Sequence, residues 1–144
     1  GAELVIIASA DHTAKIWSVA SGECVLTLVG HGGPVLSATF SPDGLWATTA
    51  SEDGTAVVWS AESGERAHTL GGHDGAVYSA AFSPDRRLLI TASQDATART
   101  WAAESGECVQ TLQGHSGPVW SATFSPDSQL AITASGDFVA RSLP

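Results

Sequence analysis

The stretch from Gly72 to Trp101, GHDGAVYSAAFSPDRRLLITASQDATARTW, decides how the chain is read, because most of the remaining sequence is made of copies of it. A shift of 42 residues superimposes Gly30-His31, Gly72-His73 and Gly114-His115, then Ser41-Pro42-Asp43, Ser83-Pro84-Asp85 and Ser125-Pro126-Asp127. The same shift aligns Asp11, Asp53, Asp95 and Asp137, and also Trp17, Trp59 and Trp101. A fixed period of this length marks a tandem array whose units bury their apolar faces against one another.

Inside the unit the side chains keep the two-residue period of strands. Val77 to Phe82 alternates Val77, Ser79 and Ala81 against Tyr78, Ala80 and Phe82. Ser83-Pro84-Asp85 ends this run, because proline fixes its φ and offers no backbone N–H. A second strand is expected over Leu88 to Ser93, a third over Thr97 to Trp101 after the Gln94-Asp95-Ala96 turn, and a fourth over Cys108 to Leu112. The unit is therefore a four-stranded antiparallel meander.

The Gly-His start, the Ser-Pro-Asp turn, the Ser-x-Asp turn and the tryptophan six residues later resemble the WD-repeat β-propeller family over essentially the whole chain. The resemblance implies an all-β fold in which each meander, strands a to d from the centre outward, is one blade of a radial stack. Residues 1–29 then form a partial blade with strands b (Glu3 to Ser9), c (Thr13 to Trp17) and d (Glu23 to Leu28). Residues 30–71 and 72–113 form full blades. Residues 114–144 form a second partial blade, with a (Val119 to Phe124), b (Leu130 to Ser135) and a c strand ending at Pro144. Fourteen strands are about half of what a seven- or eight-bladed ring needs, so this partial β-propeller is expected to belong to a larger one. The absence of methionine points the same way, towards an excised fragment.

Composition bounds the function. Six basic residues stand against fifteen acidic ones, a formal charge of −9, and Lys15, Arg66, Arg86, Arg87, Arg99 and Arg141 are scattered, so no nucleic-acid partner is expected. No run reaches the roughly 20 apolar residues of a membrane-spanning helix, and no membrane partner is expected. Asp43, Asp85 and Asp127 in a–b turns and Glu23, Glu62, Glu65, Glu104 and Glu107 near c–d turns place acid on one face, for a basic partner or, more commonly, for solubility. Cys24 and Cys108 hold the same strand-d position in units two apart, beyond the roughly 7 Å Cα limit for a disulfide. Two lone thiols fit a reducing, intracellular setting, cytoplasmic with the nucleus left open. Metal ligation fails on the same separation, and neither metal nor cofactor is expected.

His31, Thr49 and Asp53, His73, Thr91 and Asp95, and His115, Thr133 and Asp137 carry the residue types of a nucleophilic triad. The family resemblance implies another role. With Trp59 and Trp101 these residues form a hydrogen-bonded chain, indole to hydroxyl to imidazole to carboxylate, that is buried without an orphan donor. A set that recurs in every blade and whose hydroxyl is engaged by Trp is structural rather than catalytic. The end units depart from it: no His precedes Asp11, Ile7 replaces the hydroxyl, and Leu143 replaces the last Trp. Glycine follows the turn Asp only at Gly54, with His12, Ala96 and Phe138 elsewhere, so those turns are expected to be strained or of another type.

Two departures bear on partners. The residue after each Trp is Ser18, Ser60 or Ala102 in place of the Asp that names the family, and Glu62 and Glu104 stand where some members carry an arginine that docks ubiquitin-ligase adaptors. That adaptor role is not supported. The resemblance places partner contacts at the start of strand a, where this chain carries Pro34 and Leu36, Ala76 and Tyr78, and Pro118 and Trp120, beside Glu52, Gln94 and Gly136. Aromatic residues with a polar handle at a rim suit peptide anchoring; the alternative is simple packing between blades. The function implied is a non-catalytic protein-interaction scaffold binding peptides or partner domains. Two alternatives stand beside it: a regulatory segment of a larger enzyme or nucleotide-binding protein, and a half-propeller that self-associates through open blade ends lined by Ile6, Ile7, Phe124 and Ile132.

Overall fold

The computed structural model describes residues 3–137 and 140–143. Gly1 and Ala2 as a leading turn, Phe138 as a turn residue and Pro144 as the end of a strand lie outside the described residues. The described chain is built from strands and turns, and none of it is a helix long and apolar enough to cross a membrane.

Four antiparallel sheets follow one another along the sequence. The first contains β1 (Leu4–Ala8), β2 (Thr13–Ser18) and β3 (Cys24–Val29). The second contains β4 (Val35–Phe40), β5 (Trp46–Ser51), β6 (Ala56–Ser60) and β7 (Arg66–Leu70), and the third β8 (Val77–Phe82), β9 (Leu88–Ser93), β10 (Ala98–Ala102) and β11 (Cys108–Leu112). The fourth contains β12 (Val119–Phe124), β13 (Ala131–Ser135) and β14 (Ala140–Leu143). The architecture is a partial propeller, two four-stranded sheets flanked by two three-stranded ones. Every ladder joins strands adjacent in the chain, as short turns require of an antiparallel meander. Strand β10 begins one residue later than the sequence pattern indicates, and β13 begins at Ala131 instead of Leu130.

The sheets stack through apolar side chains. Ile16 and Leu28 meet Val35, Val57 and Trp59 between the first and second sheets; Val58 and Leu70 meet Val77, Leu89 and Trp101 between the second and third. Ile90 and Ala92 meet Val119, Ala122 and Ala131 between the third and fourth. Both faces of a middle sheet are therefore buried, and each fully buried aliphatic side chain contributes about 1.5–3 kcal/mol. Strands β4, β8 and β12 pack against one another in series at the inner edge, leaving β3, β7 and β11 outermost.

At the two ends the alternation resolves differently from the sequence reading. Ile6 and Phe124 turn inward onto the apolar clusters. The outward residues are Val5 and Ile7 at one end and Ile132 at the other, 43%, 55% and 49% exposed. Neighbouring residues in a strand must point to opposite faces, but the pattern does not say which parity meets the next sheet.

The turn after each repeated Asp keeps a left-handed residue whether or not it is glycine: Gly54 has φ 89°, His12 76° and Ala96 72°. The turn type is thus retained in the described repeats, and His12 and Ala96 carry the backbone strain that glycine avoids. Cys24 and Cys108 are free, exposed thiols on the outer strands β3 and β11.

Candidate functional site

One face of the array carries the loops leading into β4, β8 and β12 together with the β5–β6, β9–β10 and β13 turns. The repeated polar sets lie there. Trp59 Nε1 donates to Thr49 Oγ1 at 2.8 Å, Thr49 Oγ1 lies 2.6 Å from His31 Nε2, and His31 Nδ1 lies 2.9 Å from Asp53 Oδ2. The next sheet repeats this with Trp101, Thr91, His73 and Asp95 at 2.9, 2.7 and 2.9 Å. An indole only donates, so the hydroxyl proton is directed at Nε2 and the imidazole proton at the carboxylate. The third set joins His115 Nε2 to Thr133 at 2.7 Å and His115 Nδ1 to Asp137 at 3.0 Å.

Further donors converge on the carboxylates. Asp53 accepts the Gly32 amide at 2.9 Å and the Thr55 amide and hydroxyl at 2.8 and 2.7 Å. Burial alone would push the Asp53 carboxyl up, but the hydrogen bonds from Thr55, His31 and the Gly32 amide outweigh it and hold the carboxyl at about 2. Asp95, also pushed up by burial, is brought well below the usual carboxylate range by Thr97, His73 and the Asp74 amide. His73 is lowered by burial against the opposing pull of Asp95, consistent with a neutral ring.

These directions set a pH dependence. Each folded-state pKa lies below its unfolded counterpart, so the unfolded chain binds more protons in the interval between them. The stability is present above the unfolded values and lost on acidification, first below about 6.5 for His73 and then from about 4 downward for Asp53 and Asp95. Urea unfolding midpoints should therefore fall steadily from neutral pH to pH about 3. A midpoint that rose on acidification would contradict the assigned protonation.

Glycine before each His has a local cause. Gly30 has φ 151° and Gly72 φ 120°, and a Cβ at Gly30 would collide with the Arg66 guanidinium. That guanidinium donates to the Gly30 carbonyl at 2.9 Å and lies 5.5 Å over the Trp59 ring.

A second repeated lock is absent from the sequence reading. Ser51 Oγ donates to the Pro34 carbonyl at 2.9 Å and accepts the Asp53 amide at 3.1 Å. Ser93 does the same with Ala76 and Asp95, and Ser135 bonds the Gly117 carbonyl and the Asp137 amide. The 42-residue recurrence of these serines was the available signal.

The partner candidates are brought together in pairs. The amides of Glu52, Gln94 and Gly136 donate to the carbonyls of Pro34, Ala76 and Pro118 at 3.0, 2.9 and 2.8 Å. Register shifts between Val35 and Ser37, Val77 and Ser79, and Val119 and Ser121 make Leu36, Tyr78 and Trp120 the bulged residues of the inner strands. Such bulges re-aim a side chain. The rings of Tyr78 and Trp120, on adjacent sheets, meet with centroids 4.8 Å apart and a 39° tilt. Trp120 nevertheless remains 50% exposed. Its indole lies over Gly136, where a Cβ would approach Nε1 to 3.3 Å. Among the described residues no three His, Cys, Asp or Glu side chains gather into a set able to hold a metal ion.

The family model for the WD domain, G-beta repeat, matches residues 22–60, 64–102 and 106–141. WD repeat-containing protein 37 of Xenopus tropicalis is 51% identical over 43 residues, and that of Homo sapiens 49% over the same length. The F-box-like/WD repeat-containing protein TBL1X of Mus musculus is 51% identical over 37 residues. These matches cover 30% or 26% of this chain, and the chain spans 9% or 7% of the length of these relatives. The model matches take in most of the sequence and fall on meanders stacked sheet against sheet, so the chain belongs to the WD-repeat family.

Proposed function

We propose that the chain is part of a larger WD-repeat propeller acting as a non-catalytic scaffold, with peptides or partner domains seated on the face that carries Tyr78 and Trp120. The supporting observation is the aromatic pair on the bulges of β8 and β12, in which Tyr78 is partly buried and Trp120 half exposed. Leu36, at the same bulge position on β4 of a middle sheet, is likewise 41% exposed. Glu52 and Gln94 lie at the adjoining turns, and an aromatic pair with an exposed indole suits an interface anchor. The His-Thr-Asp sets serve as locks between loops and turns, because each hydroxyl in the complete sets is already held by an indole.

Peptides selected from a random display library against this chain test the reading. Tyr78→Ala and Trp120→Ala should each weaken the selected peptides by about tenfold or more. Unchanged affinity in the double variant would overturn it. The regulatory-segment alternative differs only in what the rest of the polypeptide carries, so the full reading frame separates the two. We further propose 30–71 and 72–113 as the blade units, 1–29 and 114–144 as partial ones, and an intracellular setting suited to two free thiols. Limited proteolysis at the unit junctions and imaging of the tagged full-length protein test these.

A second reading rests on the outward Val5, Ile7 and Ile132: the 144-residue chain associates with itself through its open sheet faces. Light scattering across a wide concentration range should show mass rising with concentration. A constant monomeric mass would exclude it.

A further inference from the structure

On the opposite face, between the second and third sheets, a groove of about 380 Å³ opens beside the β4–β5 and β8–β9 turns. Its floor is apolar, formed by Trp46, Val58, Phe82 and Ala103. Trp46 as a whole is 39% exposed. The volume falls in the roughly 300–1,000 Å³ range of clefts that hold ligands.

The groove arises where the repeat is broken. Phe82 has counterparts in Phe40 and Phe124, and Asp43 in Asp85 and Asp127. Trp46, by contrast, replaces Leu4, Leu88 and Leu130, and Arg86 replaces Gly44 and Ser128. His68 stands where the other outer strands have Leu26 and Gln110. It lies against Gly106 of the next sheet, where a Cβ would come within 2.9 Å of its Nδ1, and so walls off the outer end. One junction therefore carries a flat aromatic floor that the neighbouring junctions lack in sequence.

Charge specifies the occupant. Arg86 Nη1 donates to Asp43 Oδ2 at 2.6 Å, and Asp43 also accepts from the Ser41 hydroxyl and the Leu45 amide. Arg86, the Arg or Lys among the described lining residues, is thus matched, and Glu104 lines the rim as a further carboxylate; Arg87, whose carbonyl accepts the Ala103 amide at 3.0 Å, lies nearby outside the lining. Glu62, Asp85 and Glu107 lie in turns on the same face, with Arg87 beside Asp85, in a chain with formal charge −9. An exposed aromatic floor beside excess negative charge complements a cation attached to an apolar side chain.

We propose that this groove docks a basic segment of a partner protein, which lays an aromatic side chain on Trp46 and Phe82 and sets a flanking Lys or Arg against Glu104. The site is separate from the Tyr78–Trp120 pair, and a scaffold holding both would bind two segments on opposite faces.

The test is titration of the ¹⁵N-labelled chain with three synthetic peptides, Gly-Lys-Phe-Arg-Gly, Gly-Lys-Ala-Arg-Gly and Gly-Glu-Phe-Glu-Gly. The first should give saturable shifts at the amides of Trp46, Phe82 and Glu104, and the other two should bind at least about tenfold more weakly. Trp46→Leu restores the residue of the other repeats, so the variant retains its fold; it should lose about tenfold in affinity, and Glu104→Lys should also weaken binding. Tyr78→Ala should leave these shifts unchanged, so failure here is distinguishable from failure of the other face. Equal binding of the acidic peptide, shifts confined to the Tyr78–Trp120 region, or no saturable shift would overturn the proposal. Shifts produced at the groove by raising the concentration of the chain alone would assign it to a second copy instead.

Discussion

Trp101→Ala should lower the unfolding free energy by about 3–5 kcal/mol, the range for deleting a buried indole from a packed core. Trp101 is 2% exposed and packs with Val58, Leu70, Val77 and Leu89 between two sheets, so truncation opens a cavity that both sheets would have to fill. Thr91 also loses the indole N–H that now lies 2.9 Å from its oxygen. Trp101→Phe separates the two effects by keeping most of the packing. It should cost about 1–3 kcal/mol for the unmet hydrogen bond and altered shape. Trp17→Ala is the internal comparison, because Trp17 is only half-buried and Ile7 stands where Thr91 stands in the third sheet. Urea unfolding of the three variants measures the differences. Equal losses from Trp17→Ala and Trp101→Ala would contradict the assignment of the complete sets to the middle sheets.

Asp95→Ala should cost about 1–3 kcal/mol, because it removes the common acceptor of a buried group of donors. His73 Nδ1–H, the Asp74 amide, and the Thr97 amide and hydroxyl all converge on this one carboxylate, at 2.9, 3.1, 2.9 and 2.6 Å. After truncation the Thr97 hydroxyl, 3.4 Å from His73 Nδ1, is left as a longer and weaker acceptor for the imidazole N–H. Asp11→Ala should cost less. Its carboxylate bonds the amide and hydroxyl of Thr13 and the Ser9 hydroxyl, in an exposed turn where water replaces the lost contacts. Matching shifts in the denaturation midpoint would show that the loop clamp adds nothing to the turn itself.

The fold was legible in the sequence because three independent signals, the alternation, the Ser-Pro-Asp breaks and the Trp spacing, recur in phase. Each fixes local backbone geometry, so their agreement locates strands to within a residue or two. Contacts between sheets were less legible. The Arg86–Asp43 pair joins residues 43 positions apart, at a site where the repeat has glycine or serine instead, and no local pattern announces it. The bulges at Leu36, Tyr78 and Trp120 were hidden for a related reason: one extra residue in a strand alters aim without altering composition. The direction of Ile6 and Phe124 depended on which face met a neighbour, which alternation alone leaves open.

The matched stretch 64–102 begins with β7, the outer strand of the second sheet, and continues through β8, β9 and β10 of the third. The matched family repeat is therefore offset from the sheets and overlaps two of them. For the third sheet to open as a unit, the polypeptide that leads into it must pull on the edge of the second. Amide hydrogen exchange of β7 and β8 should then report linked opening, with protection shared across the junction, whereas sheets that opened singly would exchange at unrelated rates.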